Sequence, residues 1–233
     1  MRMRRSLRRG LRVSDVPRHP AVYSNVLMPY FAELSKGSRS ILDPFAGTGK
    51  IGLLKTMGVD AEIHANDIES EWLRPNIYNC DKVFFQDAEF FDSGMVYDSI
   101  ITSPTYGNRM ADHFKASEPK GRLTYTHCLG HDLNEENTGR MHFGTRYCEK
   151  HHRIYSHLYD ILDNHGRFIL NCSDFIRKGE VQCVVDWTAS DMESIGFMLE
   201  KRIDVPTPRM RFGANRDIRV NNESILVFRK GKI

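Results

Sequence analysis

The sequence predicts an α/β sandwich: a mostly parallel sheet with helices on both faces and an antiparallel hairpin at its C-terminal end. Three observations lead there. Short apolar runs alternate with segments of helical periodicity along most of the chain, the pattern of strands joined by crossover helices. The last two apolar runs have no helix between them, so they are expected to pair directly. The 233 residues, 40% hydrophobic, suffice for one sizeable core and require no second domain.

The elements follow in order. Arg2, Arg4, Arg5, Arg8, Arg9 and Arg12 precede any acid, so residues 1–18 read as a basic flexible arm, either a solubilising tail or an arm on a polyanion. "HPAVYSNVLMPYFAEL" (19–34) has helical spacing. "SILDPF" (40–45) is a strand, and "AGTGKIGLLKTMG" turns into a helix closed by Gly58. "AEIHAND" (61–67) is a second strand, and "ESEWLRPNIYN" a helix with a kink at Pro75. "KVFFQD" (82–87) and "YDSIITS" (97–103) are strands. A long polar connection, about 107–144, has the length of a lid or binding insert. A helix over 145–164, a strand over 166–174 and a helix over 181–196 come next. The strands "MLEKRIDV" and "ESILVFR" close the domain, 19–233.

Several classes are disfavoured. No apolar run is long enough to span a membrane, and the basic start has no apolar segment behind it, so no secretory signal is read. Five scattered cysteines suit a reducing compartment, hence an expected cytoplasmic location. Net charge is only +3, so the basic excess is local.

The chemistry begins at "DPFAGTGKIG" (43–52). Gly47, Gly49 and Gly52 form a G-x-G-x-x-G between a strand and a helix, the context of a turn that lets a nucleotide-type ligand approach the backbone. A phosphate loop is excluded by Pro44 and Ile51, which stand where it requires Gly and Ser/Thr. A dinucleotide and S-adenosylmethionine remain. Both use an acid ending the second strand to hold ribose hydroxyls, here Asp67 beside Ile68. Asp43, read as lying at the mouth of the first strand, would repel a pyrophosphate but suit a cofactor bearing an ammonium and a sulfonium. Asp87, beside Ala88, is an acceptor for an adenine amino group. The expected cofactor contacts are therefore Asp43, Pro44, Phe45, Ala46, Gly47, Thr48, Gly49, Asp67, Ile68, Asp87 and Ala88, and the expected cofactor is S-adenosylmethionine.

The fourth strand is expected beside the first, with Ser103-Pro104-Thr105-Tyr106 at its C-terminal end, facing the cofactor's methyl group. "DPFAGTG" followed by "TSPTYGN" resembles the amino-group DNA methyltransferases, which modify N4 of cytosine or N6 of adenine. "HPAVYSNVL" also looks like that family's additional cofactor element. The resemblance covers about residues 19–106. It implies a Rossmann-like S-adenosylmethionine methyltransferase sandwich, and it implies that Ser103, Pro104, Thr105 and Tyr106 form the catalytic tetrapeptide. An exocyclic amine is a poor nucleophile because its lone pair is delocalised. The Ser103 hydroxyl and Pro104 carbonyl are suited to accept its two N–H bonds, and Tyr106 to stack on a flipped base. Thr105 departs from the family, which has a second proline there, and loosens the loop by that reasoning. Serine in first position is closer to the cytosine-N4 members than to the adenine ones.

DNA is the expected partner, with RNA the alternative; a dinucleotide oxidoreductase and an inactive nucleic-acid binder are the other readings. Arg109 after the tetrapeptide, and Arg209, Arg211, Phe212 and Arg216 in "PTPRMRFGANRDIR" (206–219), are the expected nucleic-acid contacts. Cys128, His131, Cys148 and His151 have loosely zinc-like spacing, but ten histidines produce such pairs by chance, and no metal is expected.

Overall fold

The computed structural model describes residues 19–73, 78–107, 124–207 and 220–231. The arm 1–18 and the residues Arg109, Arg209, Arg211, Phe212 and Arg216 lie outside these.

Helix α1 (Met28–Leu34) leads into strand β1 (Ser40–Asp43), a 3-10 helix (Lys50–Met57), and strands β2 (Glu62–Asn66), β3 (Lys82–Phe84) and β4 (Tyr97–Thr102). Helices α2 (Tyr125–Leu129) and α3 (Thr145–Asp160) follow, then β5 (Leu162–Cys172), a small hairpin of β6 (Phe175–Arg177) and β7 (Glu180–Gln182), helix α4 (Val184–Ile195), and strands β8 (Phe197–Pro206) and β9 (Asn222–Lys230). Seven strands form one sheet in the order β3-β2-β1-β4-β5-β9-β8. The first five are parallel, and β9 is antiparallel to both β5 and β8. The predicted fold class is therefore present, hairpin included.

Each face of the sheet carries its own core. One joins Leu27, Phe31, Ile41, Ile51 and Leu54 to Ile63, Ile101 and Ile225. The other joins Leu42, Ile100, Phe168 and Phe228 to Tyr155 and Leu158 of α3 and Met192 of α4. The alternation Ile41/Leu42 and Ile100/Ile101 sends neighbouring side chains to opposite cores, so these central strands are apolar throughout.

Several elements differ from their sequence-based outlines. Residues 19–27 are not helical. Val22 and Val26, counted in the helical pattern, are exposed, and the Tyr23 carbonyl bonds the Lys50 side chain instead of a helical N–H. The helix starts only at Met28, where Pro29 occupies the first turn, whose N–H groups lack intrahelical partners anyway. Residues 69–73 form turns rather than a helix, and the Glu69 carboxylate there accepts Asn134 N–H and Asn137 Nδ2. Strand β3 stops at Phe84, since the Asn66 side chain takes over both backbone groups of Gln86, at 2.9 Å each. The hairpin β6–β7 was not foreseen; its turn puts Lys178 (φ +53°) and Gly179 (φ +83°) in the left-handed region.

After Gly49 the chain winds as a 3-10 helix rather than an α-helix. Gly52 N–H bonds the Gly49 carbonyl three residues back, and the backbone presses against Tyr78. A Cβ on Gly52 would lie 1.9 Å from the Tyr78 carbonyl oxygen, so this glycine serves packing between helix and loop. Gly52→Ala is expected to cost about 3 kcal/mol or more, because a backbone group must move. That lowers Tm by roughly 6–12 °C in a domain of this size. A calorimetric scan showing a fall below roughly 2 °C would contradict the contact.

Candidate active site

The chain runs outward from β1 to β2 and β3, then crosses back to lay β4 on the other side of β1. In open α/β sheets such a reversal opens a crevice at the carboxyl ends of the two strands. Asp43 ends β1 and Thr102 ends β4, so the glycine turn and the tetrapeptide leave the sheet side by side. A cavity of about 230 Å³ lies there.

The structure brings most of the expected residues to this one cavity. Pro44, Phe45, Ala46, Gly47 and Thr48 line it from the turn, Asp67 and Ile68 from the end of β2, and Asp87 and Ala88 from beyond β3. Ser103, Pro104, Thr105 and Tyr106 form the opposing side. Gly49 supports the turn from behind: its φ is +78°, and a Cβ would meet Leu73 at 3.0 Å. Gly47, at φ +53°, donates its N–H to Asp67 Oδ2 at 2.8 Å, while Asp67 Oδ1 takes the Glu69 N–H at 2.9 Å. Burial pushes the Asp67 carboxyl up to about 6, with the charge of Glu69 adding and the two backbone bonds opposing.

Asp43 ends β1 as read but is not among the residues that line the cavity, against its expected place as a cofactor contact. It is fully buried. Tyr23 OH donates to Oδ2 at 2.5 Å, and Thr102 Oγ1 (2.8 Å) and Phe45 N (3.1 Å) to Oδ1. Burial pushes its carboxyl up to about 7 against these three hydrogen bonds.

At the other end, Ser103 Oγ and Tyr106 OH are 2.7 Å apart. Asn171, ending β5, directs Nδ2 to Ser103 Oγ (3.2 Å), Tyr106 OH (2.9 Å) and Glu223 Oε2 (2.7 Å). Thr105 is held on both sides: its hydroxyl lies 2.7 Å from that of Thr138, and its carbonyl accepts Tyr147 OH at 2.6 Å.

Further residues complete the walls. His19 and Tyr23, within the stretch read as an additional cofactor element, line the cavity, and so do residues that sequence reasoning missed: Lys50, Trp72, Tyr125, Gln86, Glu136, Asn137, Thr138, Asn171 and Glu223. Burial lowers His19 to about 4, so its ring is neutral at pH 7. Asp87 Oδ2 bonds Lys150, whose buried ammonium also contacts Glu89 and Glu136. Among the described lining residues the charged groups are the carboxylates of Asp67, Asp87, Glu136 and Glu223 and the ammonium of Lys50. Asn171 and Glu223 had a faint signal, a polar residue next to the end of an apolar strand.

The zinc-like residues do not converge. His131 is half exposed and bonds Glu71 and its neighbour's carbonyl. His151 is fully buried against Phe45, Tyr147 and Tyr155. Among the described residues no group of three or more His, Cys, Asp or Glu is placed to hold a metal ion. None of the described helices is long and apolar enough to cross a membrane.

Neither a family model nor a curated protein sequence matches the chain. Solved structures do share its architecture. The 1,6-didemethyltoxoflavin-N1-methyltransferase of Burkholderia thailandensis, with 1,6-didemethyltoxoflavin and S-adenosylhomocysteine bound, gives a TM-score of 0.51 at 14% identity. The match covers 89% of this chain and 78% of that one. An S-adenosylmethionine-dependent methyltransferase of Clostridium acetobutylicum gives 0.50 at 10% identity, covering 88% and 89%. TrmN from Thermus thermophilus gives 0.46 at 16% identity over 88% of this chain, which spans 48% of the length of TrmN. The fold is that of S-adenosylmethionine-dependent methyltransferases.

A carboxyl raised by burial favours the folded state while protonated and opposes it once ionised. Stability from Asp43 is therefore fully present below its unfolded value near 3.8 and is lost as pH rises through about 7. Asp43→Asn keeps an acceptor for Phe45 and Thr102 and removes that titration. Its Tm should change less between pH 4 and pH 8 than that of the wild type, with Asp67 leaving a residual slope. Parallel Tm–pH curves for the two proteins would refute the assignment.

Proposed function

We propose that the protein transfers a methyl group from S-adenosylmethionine to an exocyclic amine of a nucleic-acid base, in DNA and on cytosine N4 in preference to adenine N6. One observation carries this reading. Ser103-Pro104-Thr105-Tyr106 and the Gly47 turn, 56 positions apart in the sequence numbering, line a single cavity. The cavity's donors and acceptors fit the cofactor. Asp67 is placed beside the turn for ribose hydroxyls, Asp87 is an acceptor near the end of β3, and the lining is predominantly acidic. Such a lining suits an ammonium and a sulfonium and repels a pyrophosphate, which weighs against a dinucleotide. When bound, S-adenosylmethionine supplies the electrophilic methyl group.

The chain's own groups would then act on the amine. The Ser103 hydroxyl and Pro104 carbonyl accept its two N–H bonds, which draws the lone pair out of conjugation with the ring. The two N–H bonds of Asn171 are shared among Ser103, Tyr106 and Glu223; this fixes the position of the Ser103 hydroxyl, which with its own proton directed to Tyr106 would keep its second lone pair for the amine. The Tyr106 ring offers a stacking face for a base extruded from its helix. Gly107, Tyr125 and Glu223 line the cavity. Arg109, the arginines of 206–219 and those of the arm are the proposed phosphate contacts.

Purified protein incubated with methyl-labelled S-adenosylmethionine should label DNA more than RNA, and digestion followed by mass spectrometry should find N4-methylcytosine. Label confined to RNA would move the substrate to an RNA base amine; label in neither would defeat the reading. Ser103→Ala should lower turnover by roughly 10²- to 10³-fold, the typical loss for one positioned transition-state partner. Its affinity for S-adenosylhomocysteine should stay within about threefold, because the change lies at the amine end.

A further inference from the structure

We propose that the Lys50 ammonium binds the carboxylate of the cofactor's methionine moiety, an inference that rests on the cofactor reading above. Lys50 follows Gly49 directly, at the first residue of the 3-10 helix, and lines the cavity. The residue is only 9% exposed. Its two hydrogen-bond acceptors are neutral: the Tyr23 carbonyl at 2.5 Å and Asn25 Oδ1 at 2.6 Å. An ammonium has three donors, so one N–H is left beyond these two. Among the described residues no carboxylate forms an ion pair with it, whereas the similarly buried Lys150 has three. A buried cation without a counter-charge is costly, and its surroundings accordingly disfavour the charged form.

Charge complementarity points the same way. The lining carries four carboxylates and this one ammonium among its described residues, with His19 neutral. S-adenosylmethionine carries two cationic centres and one anionic one. The single anion of the ligand matches the single cation of the wall, and the carboxylates are left for the ammonium, the sulfonium and the ribose. The same lysine holds residues 23–25 over the turn, so it links the cavity's cover to the ligand's tail.

Isothermal titration calorimetry separates this role from a purely structural one. The probes are S-adenosylhomocysteine and S-adenosyl-3-thiopropylamine, the same molecule without the carboxylate. The wild type should bind the first about 10- to 100-fold more tightly, the range of one charge-assisted bond. Lys50→Met should lose most of that difference by weakening S-adenosylhomocysteine alone, and Lys50→Arg should retain it. Equal binding of the two probes by the wild type would overturn the proposal without needing a folded variant. A Lys50→Met protein weakened equally toward both probes would also overturn it, because the lysine would then only fasten the 23–25 segment. Failure of the wild type to bind either probe would instead sink the cofactor reading itself.

Discussion

One buried carboxylate joins the parts of the site. Asp43 is reached by Tyr23 from the N-terminal segment, by Thr102 from the end of β4 and by the Phe45 amide from the glycine turn. These three come from separate stretches of chain; the β1–β4 pairing already sets Thr102 beside Asp43, and the carboxylate adds the N-terminal segment, which belongs to no strand. A carboxylate buried without partners would be severely destabilising, so each partner is under pressure to stay in place. The glycine turn and the strand end that leads into the tetrapeptide are thus tied to a single side chain as well as to each other through the sheet. Cavity walls held this way are fixed relative to one another, which is what catalysis by positioning would require.

The other walls rest on polar contacts of similar reach. Lys150 gathers Asp87, Glu89 and Glu136, drawing the region beyond β3 and the segment before α3 onto one helix. Glu69 does the same with Asn134 and Asn137. Residues 124–144 have apolar anchors at their two ends, Tyr125 and Leu133 with Trp72, and Phe143 against Tyr147 and Trp187, and the carboxylate contacts of Asn134, Glu136 and Asn137 hold the stretch between. Their role as a wall therefore depends on carboxylates that themselves belong to the rim of the site. A mutation that removes one of these acids acts on shape as well as on charge.

The fold was legible because apolar runs of strand length alternate with amphipathic stretches, and that pattern survives without knowledge of any contact. The glycines and the tetrapeptide were legible because their spacing is local. Lys50, Asn171 and Glu223 were not, since their importance arises from pairings 20 or more positions apart, which only the sheet order creates. Asp43 shows the complementary failure. Its position at a strand end was read correctly, but burial cannot be deduced from position, and a tyrosine twenty residues earlier decides where its charge points. The stretch 19–27 misled because Val22 and Val26 keep a helical rhythm while facing solvent. Periodicity reports which residues share a side, not which side is covered.

Thr105 has a wider consequence. A pyrrolidine ring in its place would restrain the backbone from within, through its own covalent geometry. With threonine the side-chain restraint comes instead from Thr138, 33 positions along the chain, beside a backbone bond from Tyr147 to the Thr105 carbonyl that any residue there could accept. The shape of this corner of the cavity is thereby tied to the placement of the segment that carries Thr138, so a change far along the chain reaches it through one hydroxyl pair.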